Sequence, residues 1–234
     1  MKSYGQFCPV AKAAELFCER WTPLILRDLG AGASRFSELH RGVPLMSPTL
    51  LSRRLKQLEA EGVVETRPAK NGTRNTYHLT PAGAEFLPMV QSLGVWGQRW
   101  SRRALAEHEV DLGLLLWTLE RSVNPDAFGA ESAVVRLQFT DQPKGKDIWW
   151  LLNQDNACEL CLEDPGFEVT LYLSCTLPDM IYIVRGDLGL ASAIAGDRLD
   201  VIGSAKARKC LAAWLNLSPF AAIPSQRTAD QACR

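Results

Sequence analysis

The stretch MSPTLLSRRLKQLEAEG, residues 46–62, decides how the first half of the chain folds. Ser47 can accept hydrogen bonds from the free backbone N–H groups of a first helical turn, and Pro48 follows where a missing N–H costs nothing. An apolar stripe follows at helical spacing, formed by Leu51, Leu55 and Leu58. Polar and basic residues fall on the opposite side. The stretch therefore predicts an amphipathic helix with a basic outer face.

The segments on either side of this helix complete a recognisable plan. A short helix is predicted over residues 35–41, with a turn at residues 43–46. Residues 63–67 and 75–80 are rich in β-branched side chains, and Asn71-Gly72 between them is a strong hairpin-turn signal. Two helices joined by a turn and followed by a hairpin form a winged helix-turn-helix. This order predicts binding to double-stranded DNA.

Charge is distributed unevenly along the 234 residues, although the whole chain has no net charge. Residues 1–108 contain 15 Lys and Arg against 9 Asp and Glu, a net of +6, and residues 109–234 contain 11 against 17, a net of −6. A basic half beside an acidic half indicates that the first half meets a polyanion. A chance imbalance on solvated surfaces would give the same counts.

The second half has a different pattern, with short strand-like runs between helical segments. The strand-like runs are residues 133–140, 148–153, 158–162, 167–174 and 198–203. Helical segments are predicted over 179–184 and 188–194, and Ser204 can cap a helix that ends near Trp214. The predicted fold class is α+β, with a winged helix-turn-helix domain at 1–108 and a sheet covered by helices at 109–224. The polar residues 225–234 are expected to be a disordered tail.

Four apolar residues between the two halves step by four, three and four positions: Met89, Leu93, Trp96 and Trp100. That spacing is typical of a helix seam. The seam can pack against the chain's own core or against a second copy. A dimer is the sharper interpretation, because a two-fold protein matches a palindromic operator.

Several motifs in the first half resemble one family. They are Cys8-Pro9-Val10, Arg20-Trp21-Thr22, the run 25–29, the run 35–39, Ser47 to Gly62, the run 77–83 and Trp96-Gly97. Over roughly residues 7–100 the chain resembles the HxlR-type bacterial transcriptional regulators. The resemblance implies a winged-helix homodimer that binds operator DNA, with the helix from Ser47 in the major groove. It also implies that the N-terminal helix and the helix around Trp96 build the dimer.

The candidate DNA contacts follow from the position of each side chain. The first turns of a recognition helix face base edges, so Thr49, Ser52 and Arg53 are the base-reading candidates. Phosphate contacts are expected from Arg54, Lys56, Lys70 and Arg74. Ser47 and Asn71 are further candidate DNA-binding residues. Any one of these residues could be a plain surface residue, but their grouping favours DNA.

The seven cysteines are expected to be thiols in a reducing cytoplasm. In some members of the resembled family a cysteine at the position of Cys8 senses oxidants or electrophiles, and a thiol beside a helix N-terminus can become reactive. Burial as a small apolar residue is the alternative. Cys18 stands where the family usually has a small residue such as glycine. Cys158 and Cys161 form a C-x-x-C without a second ligand pair, so no metal site and no cofactor are expected.

Residues 110–222 loosely resemble a sterol-carrier-protein-like (SCP-type) domain through the runs 168–174, 186–191 and 195–203. The resemblance implies a sheet covered by helices that can hold a small apolar effector. Its candidate liners are Trp149, Trp150, Phe167, Tyr172, Ile181 and Trp214. A structural or dimer-supporting role is the alternative, since aromatic stripes are more often core.

Other classes of protein find little support in the sequence. No catalytic motif pairs a nucleophile with a base, so the chain is not expected to be an enzyme. No apolar run of about 18 residues and no secretion signal are present, which predicts a cytoplasmic protein without a membrane span. The leading hypothesis is a DNA-binding repressor that acts as a homodimer. A thiol-based regulator and a small-molecule binding protein remain the alternatives.

Overall fold

The computed structural model describes residues 3–68 and 75–227, which form two compact units that divide after Gly94. Residues 95–108 group with the second unit, whereas the sequence predicted a boundary at residue 108. Each unit has its own buried apolar cluster. The mixed helix and sheet content agrees with the predicted α+β class.

The first unit contains mostly helices and a two-stranded hairpin. The elements are α1 (Pro9–Phe17), α2 (Thr22–Gly30), α3 (Phe36–Gly42), α4 (Pro48–Ala60), β1 (Val64–Pro68), β2 (Asn75–Leu79), α5 (Pro81–Ala84) and α6 (Leu87–Trp96). The strands β1 and β2 are antiparallel, with Val64 opposite Leu79. A winged helix-turn-helix is therefore confirmed in the first half of the chain.

Local caps explain where these helices begin. Ser47 Oγ accepts from Leu50 N at 3.3 Å, and Pro48 is the first residue of α4, as predicted. α5 ends at Ala84, and Pro88 lies in the first turn of α6, because a proline interrupts a helix that would otherwise continue. α2 begins at Thr22, directly after Trp21, and α3 begins at Phe36, directly after Arg35.

The core of the first unit lies between α4 and the helices that precede it. The stripe Leu51, Leu55 and Leu58 is fully buried, and so is Met46 in the turn between α3 and α4. Leu45, the neighbouring residue in this turn, is exposed. Burial of the stripe leaves the opposite side of α4 in solvent.

The second unit is a five-stranded sheet with helices. Its elements are α7 (Leu112–Ser122), β3 (Ser132–Phe139), β4 (Ile148–Gln154), β5 (Ala157–Cys161), β6 (Val169–Cys175), α8 (Leu177–Arg185), α9 (Leu190–Ala195), β7 (Leu199–Gly203) and α10 (Ala205–Leu215). The strand order is β5-β4-β3-β6-β7, and the pair β3 and β6 is parallel. The sequence did not predict α7, which starts at the cap Asp111.

One face of this sheet packs on helices. Alternate residues of β3, β4 and β6 join a buried cluster with residues of α7, α8 and α10. At its centre Trp214 Nε1 donates to Asn153 Oδ1 at 2.9 Å, and Asn153 Nδ2 donates to Ala133 O and Leu151 O. This buried network ties α10 to two neighbouring strands.

The segment that enters the second unit is fastened to the end of α8. Gln98 Nε2 donates to Arg185 O at 3.0 Å, and Leu105 N donates to the Tyr182 hydroxyl. Asp187 forms ion pairs with both Arg102 and Arg185. In the predicted tail, Gln226 N donates to Arg99 O at 2.8 Å, while residues 228–234 lie outside the described residues.

Candidate nucleic-acid interface

The turn before α4 is held by neighbouring helices, which fixes where the helix begins. His40 Nε2 makes a 2.9 Å hydrogen bond with Met46 O, and the Met46 side chain is buried in the core. Arg27 bonds to the buried Asp28 and to Gly42 O, at the end of α3. The turn between α3 and α4 therefore has both a backbone and a core anchor.

The exposed side of α4 carries one file of polar and basic residues. Thr49, Arg53 and Lys56 are exposed, and their spacing of four and three residues places them on one face. Ser47 is exposed at the helix start, and Ser52 is half-buried beside this file. Side chains that can donate or accept hydrogen bonds thus project from the first turns of α4, where a recognition helix meets base edges.

Arg54 does not fit the phosphate contact that the sequence suggested. Its side chain is 10% exposed, and Nη2 lies 2.8 Å from Glu19 Oε2. Nη1 donates to Gln57 Oε1 at 2.7 Å. One residue of helical rotation separates it from Arg53, so it lies on the buried side and pairs within the chain.

The hairpin strands β1 and β2 follow α4 in the chain. Lys70, Asn71 and Arg74 lie outside the described residues. Below the tip, Arg67 forms an ion pair with Glu65 on the same strand. The predicted role of the tip in DNA binding remains a prediction.

Arg35 is a basic residue that the sequence argument did not select. It precedes α3, its side chain is 75% exposed, and it forms a β-bridge with Thr76 of the hairpin. The first helix of a helix-turn-helix crosses the DNA backbone. The sequence signal that could have identified Arg35 is its basic side chain at the start of this helix.

The predicted dimer seam is exposed in the isolated chain. Met89, Leu93 and Trp96 of α6 and Trp100 beyond it have between 43% and 59% of their surface in solvent. Large apolar side chains in such a row are costly to leave in water.

The six predicted ligand liners do not share one cavity. Trp214 is fully buried in the core, and Trp149 and Ile181 pack against that core. Trp150 and Tyr172 lie on the opposite face of the sheet, paired through Arg136 of β3, and Phe167 is exposed in a loop. The prediction overlooked the alternation that sends neighbouring strand residues to opposite faces.

One pocket of about 480 Å³ lies beside Trp149 at the start of α7. Its walls include Val110, Leu116, Trp149 and Leu177, and its polar lining residues are Asp111, Gln142 and Lys146. The mixture of apolar wall and polar groups suits a small amphipathic molecule.

The cysteines lie in different environments. Cys8 is half-buried at the residue before α1, and Cys18 is exposed at the end of α1. Burial, with Glu120 as the next cause, raises the pKa of Cys158 to about 12. Cys158 is paired in register with Asn153 and Cys161 with Trp150, so the two thiols lie on opposite faces of the sheet.

Among residues 3–68 and 75–227, no group of three or more His, Cys, Asp and Glu side chains is arranged to hold a metal ion. No described helix combines the length and the apolar character that a bilayer crossing requires.

A helix-turn-helix with an exposed basic second helix and a flanking hairpin defines the winged helix-turn-helix class of proteins. The family described as HxlR-like helix-turn-helix matches residues 16–105. The chain is 36% identical over 98 residues to the uncharacterized HTH-type transcriptional regulator YvaP of Bacillus subtilis, covering 41% of this chain and 91% of that protein. The chain therefore belongs to the HxlR-like helix-turn-helix family.

Two further proteins are similar to the first half of this chain. The chain is 38% identical over 95 residues to the uncharacterized HTH-type regulator Rv3095 of Mycobacterium tuberculosis, covering 40% of this chain and 60% of that protein. A crystal structure of diamide-treated YodB from B. subtilis matches with 31% identity and a TM-score of 0.34, covering 39% of this chain and 93% of that chain.

Proposed function

We propose that this protein is a sequence-specific DNA-binding transcriptional regulator. The observation that carries the proposal is the exposed file Thr49, Arg53 and Lys56 on a helix whose other side is locked into the core. Membership of a family whose members are named as HTH-type transcriptional regulators supports it. In this proposal α4 enters the major groove of the operator.

The roles of the contacts divide by position. Thr49, Ser52 and Arg53 in the first half of α4 read base edges, together with the capping residue Ser47 directly before the helix. Lys56 and Arg35 contact phosphates on either side, and the hairpin tip adds Lys70, Asn71 and Arg74. Phosphate contacts release counterions, so the affinity falls steeply as salt rises.

We further propose that the protein acts as a homodimer through the seam of Met89, Leu93, Trp96 and Trp100. The support is the exposure of all four side chains in the isolated chain. A dimer presents two α4 helices to two half-sites of a pseudo-palindromic operator. Occupation of such a site within a promoter blocks transcription, which makes the protein a repressor.

Selection of duplexes from a randomised library tests this function. The wild-type protein should enrich a pseudo-palindromic sequence and should shift it in a gel at concentrations that leave a shuffled duplex free. Raising the salt concentration should weaken the complex. Failure to enrich any duplex at low salt would refute the proposal.

A thiol-based switch is a second candidate function, and the position of Cys8 favours it. The side chain is half-buried at the residue directly before α1, next to the N-terminus of that helix. Treatment with the thiol oxidant diamide should release the selected duplex, and dithiothreitol should restore binding. A Cys8→Ser variant should bind DNA and ignore diamide, and a variant that still responds would exclude Cys8.

An effector role for the second unit is proposed at the pocket beside Trp149. The apolar walls and Lys146 favour a small amphipathic molecule. A screen of fatty acids and aromatic carboxylates by quenching of tryptophan fluorescence should find a ligand that alters DNA affinity. The Leu116→Trp variant should fill the pocket and abolish that response, and a response that survives would place the ligand elsewhere.

A further inference from the structure

The buried Arg54 links the middle of α4 to the turn that joins α1 and α2. Its Nη2 lies 2.8 Å from Glu19 Oε2, across 35 positions of sequence. Gln57, one turn further along α4, accepts a hydrogen bond from Nη1 at 2.7 Å. Both ends of the guanidinium fork are therefore occupied within the chain.

Burial of the Arg54 guanidinium costs free energy, which contacts within the fold must offset. A guanidinium that leaves water needs compensating partners, and Arg54 Nε is buried without any acceptor among the described residues. Glu19 is 36% exposed, so the pair lies at the edge of the core rather than deep within it. A leucine at this position would extend the apolar stripe without such a requirement.

The turn that carries Glu19 is held in an unfavourable conformation. Trp21 has a φ of +80°, a left-handed conformation that bulky residues rarely adopt. The hydroxyl of the next residue, Thr22, is buried and has no hydrogen-bond partner within the described chain. Contacts from elsewhere must keep the turn in place, and the ion pair with Arg54 is one of them.

The geometry of a helix connects this pair to DNA recognition. Arg54 is the neighbour of Arg53, and successive residues are rotated by about 100° around the helix axis. Fixing Arg54 against the turn therefore fixes the direction in which Arg53 and Thr49 project. A small rotation of α4 would move these side chains away from base edges.

We infer that Arg54 and Glu19 are positioning residues, which set the rotation of α4 about its axis so that its exposed file meets the base edges of DNA. The inference rests on the proposed function. Glu19 is an acidic residue near the proposed DNA-binding surface. The inference nevertheless predicts that Glu19 strengthens DNA binding.

This inference and simple electrostatics predict opposite changes in DNA affinity for one substitution. Glu19→Gln removes a negative charge, which should strengthen binding to a polyanion if charge alone matters. The inference predicts that it weakens binding to the duplex enriched by the wild-type protein by about tenfold, the loss expected when a base contact is misaligned. Binding to a shuffled duplex of the same length should stay the same or increase. The control Glu61→Gln makes the same charge change at the exposed end of α4 and should not weaken binding to either duplex.

Salt dependence provides the matching test on the basic partner. Lys56→Gln, a lost phosphate contact, should lower the slope of log affinity against log salt by about one. Arg54→Gln should weaken specific binding but leave that slope unchanged. The double variant Glu19→Gln with Arg54→Gln should bind no more weakly than the worse single variant, because both remove one interaction.

If Arg54→Gln does not fold, Arg54→Lys provides a milder variant, because it keeps the positive charge and loses the forked guanidinium group. It should weaken specific binding and leave the slope of log affinity against log salt unchanged. Folding of every variant is checked by circular dichroism. Tighter binding by Glu19→Gln, or a lower salt slope in Arg54→Gln or Arg54→Lys, would overturn the inference while the proposed function stands. If the wild-type protein enriches no duplex, the proposed function fails and the inference fails with it.

Discussion

Arg53 and Arg54 have the same side chain but lie in opposite environments. Arg53 is exposed on the outer face of α4, and Arg54 is buried against Glu19. The difference arises from one step of helical rotation, which converts a candidate base-reading group into a structural one. At the residue scale, the direction of a side chain decides its function.

Gly83 lies at a position where the backbone leaves no space for a side chain. A Cβ built at this position lies 2.0 Å from Val63 O, which is a backbone atom and cannot rotate away. Gly83→Ala should therefore lower the free energy of unfolding by about 2 kcal/mol or more, measured by urea denaturation. The control Gly97→Ala meets no atom within 4 Å and should have little effect. Equal stability of the two variants would contradict the packing described here.

The cysteines make a prediction about reactivity. Burial is the main cause that raises the pKa values of Cys158 and Cys175 to about 12, so almost no thiolate exists near neutral pH. At about pH 8, iodoacetamide should label the exposed Cys18 at least about a hundredfold faster than either buried thiol. The difference between the labelling rates should become smaller as the pH rises towards 12, because the buried thiols then ionise. Peptide mass spectrometry measures the rates, and equal labelling at pH 8 would contradict the assigned burial.

At the scale of elements, the start of α4 was predicted from its own residues. The pair Ser47-Pro48 was a sufficient signal because caps and prolines act within one turn. The helix α7 was missed although its start also has a local cap at Asp111. The six ligand liners do not share one cavity because neighbouring residues of a strand lie on opposite faces of the sheet, which separates Trp149 from Trp150.

The segment from Gln98 to Leu105 depends on a contact that no local pattern predicts. Asp187 pairs with both Arg102 and Arg185 there, and the Arg102 side chain is 11% exposed. Asp187→Ala would leave two arginines side by side without a counter-charge, and it should cost about 2 kcal/mol of stability. Urea denaturation measures the loss, with Glu163→Ala in an exposed loop as the control. Unchanged stability of Asp187→Ala would show that the ion pairs do not hold this segment.

At the scale of the whole molecule, the charge asymmetry matches the division of labour that is proposed. The basic first half includes the candidate DNA surface, and the acidic second half contributes the pocket beside Trp149. The sequence predicted the first assignment because a helix and its cap are local. It could not predict the pocket, whose walls come from four separate parts of the second unit.

The proposed dimer is a prediction at this scale. Leu93→Glu places a charge in the exposed row on α6 and should convert a sedimenting dimer into a monomer at micromolar concentration. The control Ile202→Glu makes the same kind of change at another exposed apolar residue and should leave the dimer intact. A wild-type monomer in sedimentation velocity would exclude this interface.

The central claim is that the first half of α4 lies in the major groove, and methylation protection by dimethyl sulfate tests it most directly. The reagent modifies guanine N7, an atom that faces the major groove. The wild-type protein should protect guanines near the centre of each half-site of the selected duplex, and Arg53→Ala should lose protection at one defined position per half-site. Full binding without any major-groove protection, or an unchanged pattern in Arg53→Ala, would contradict the account.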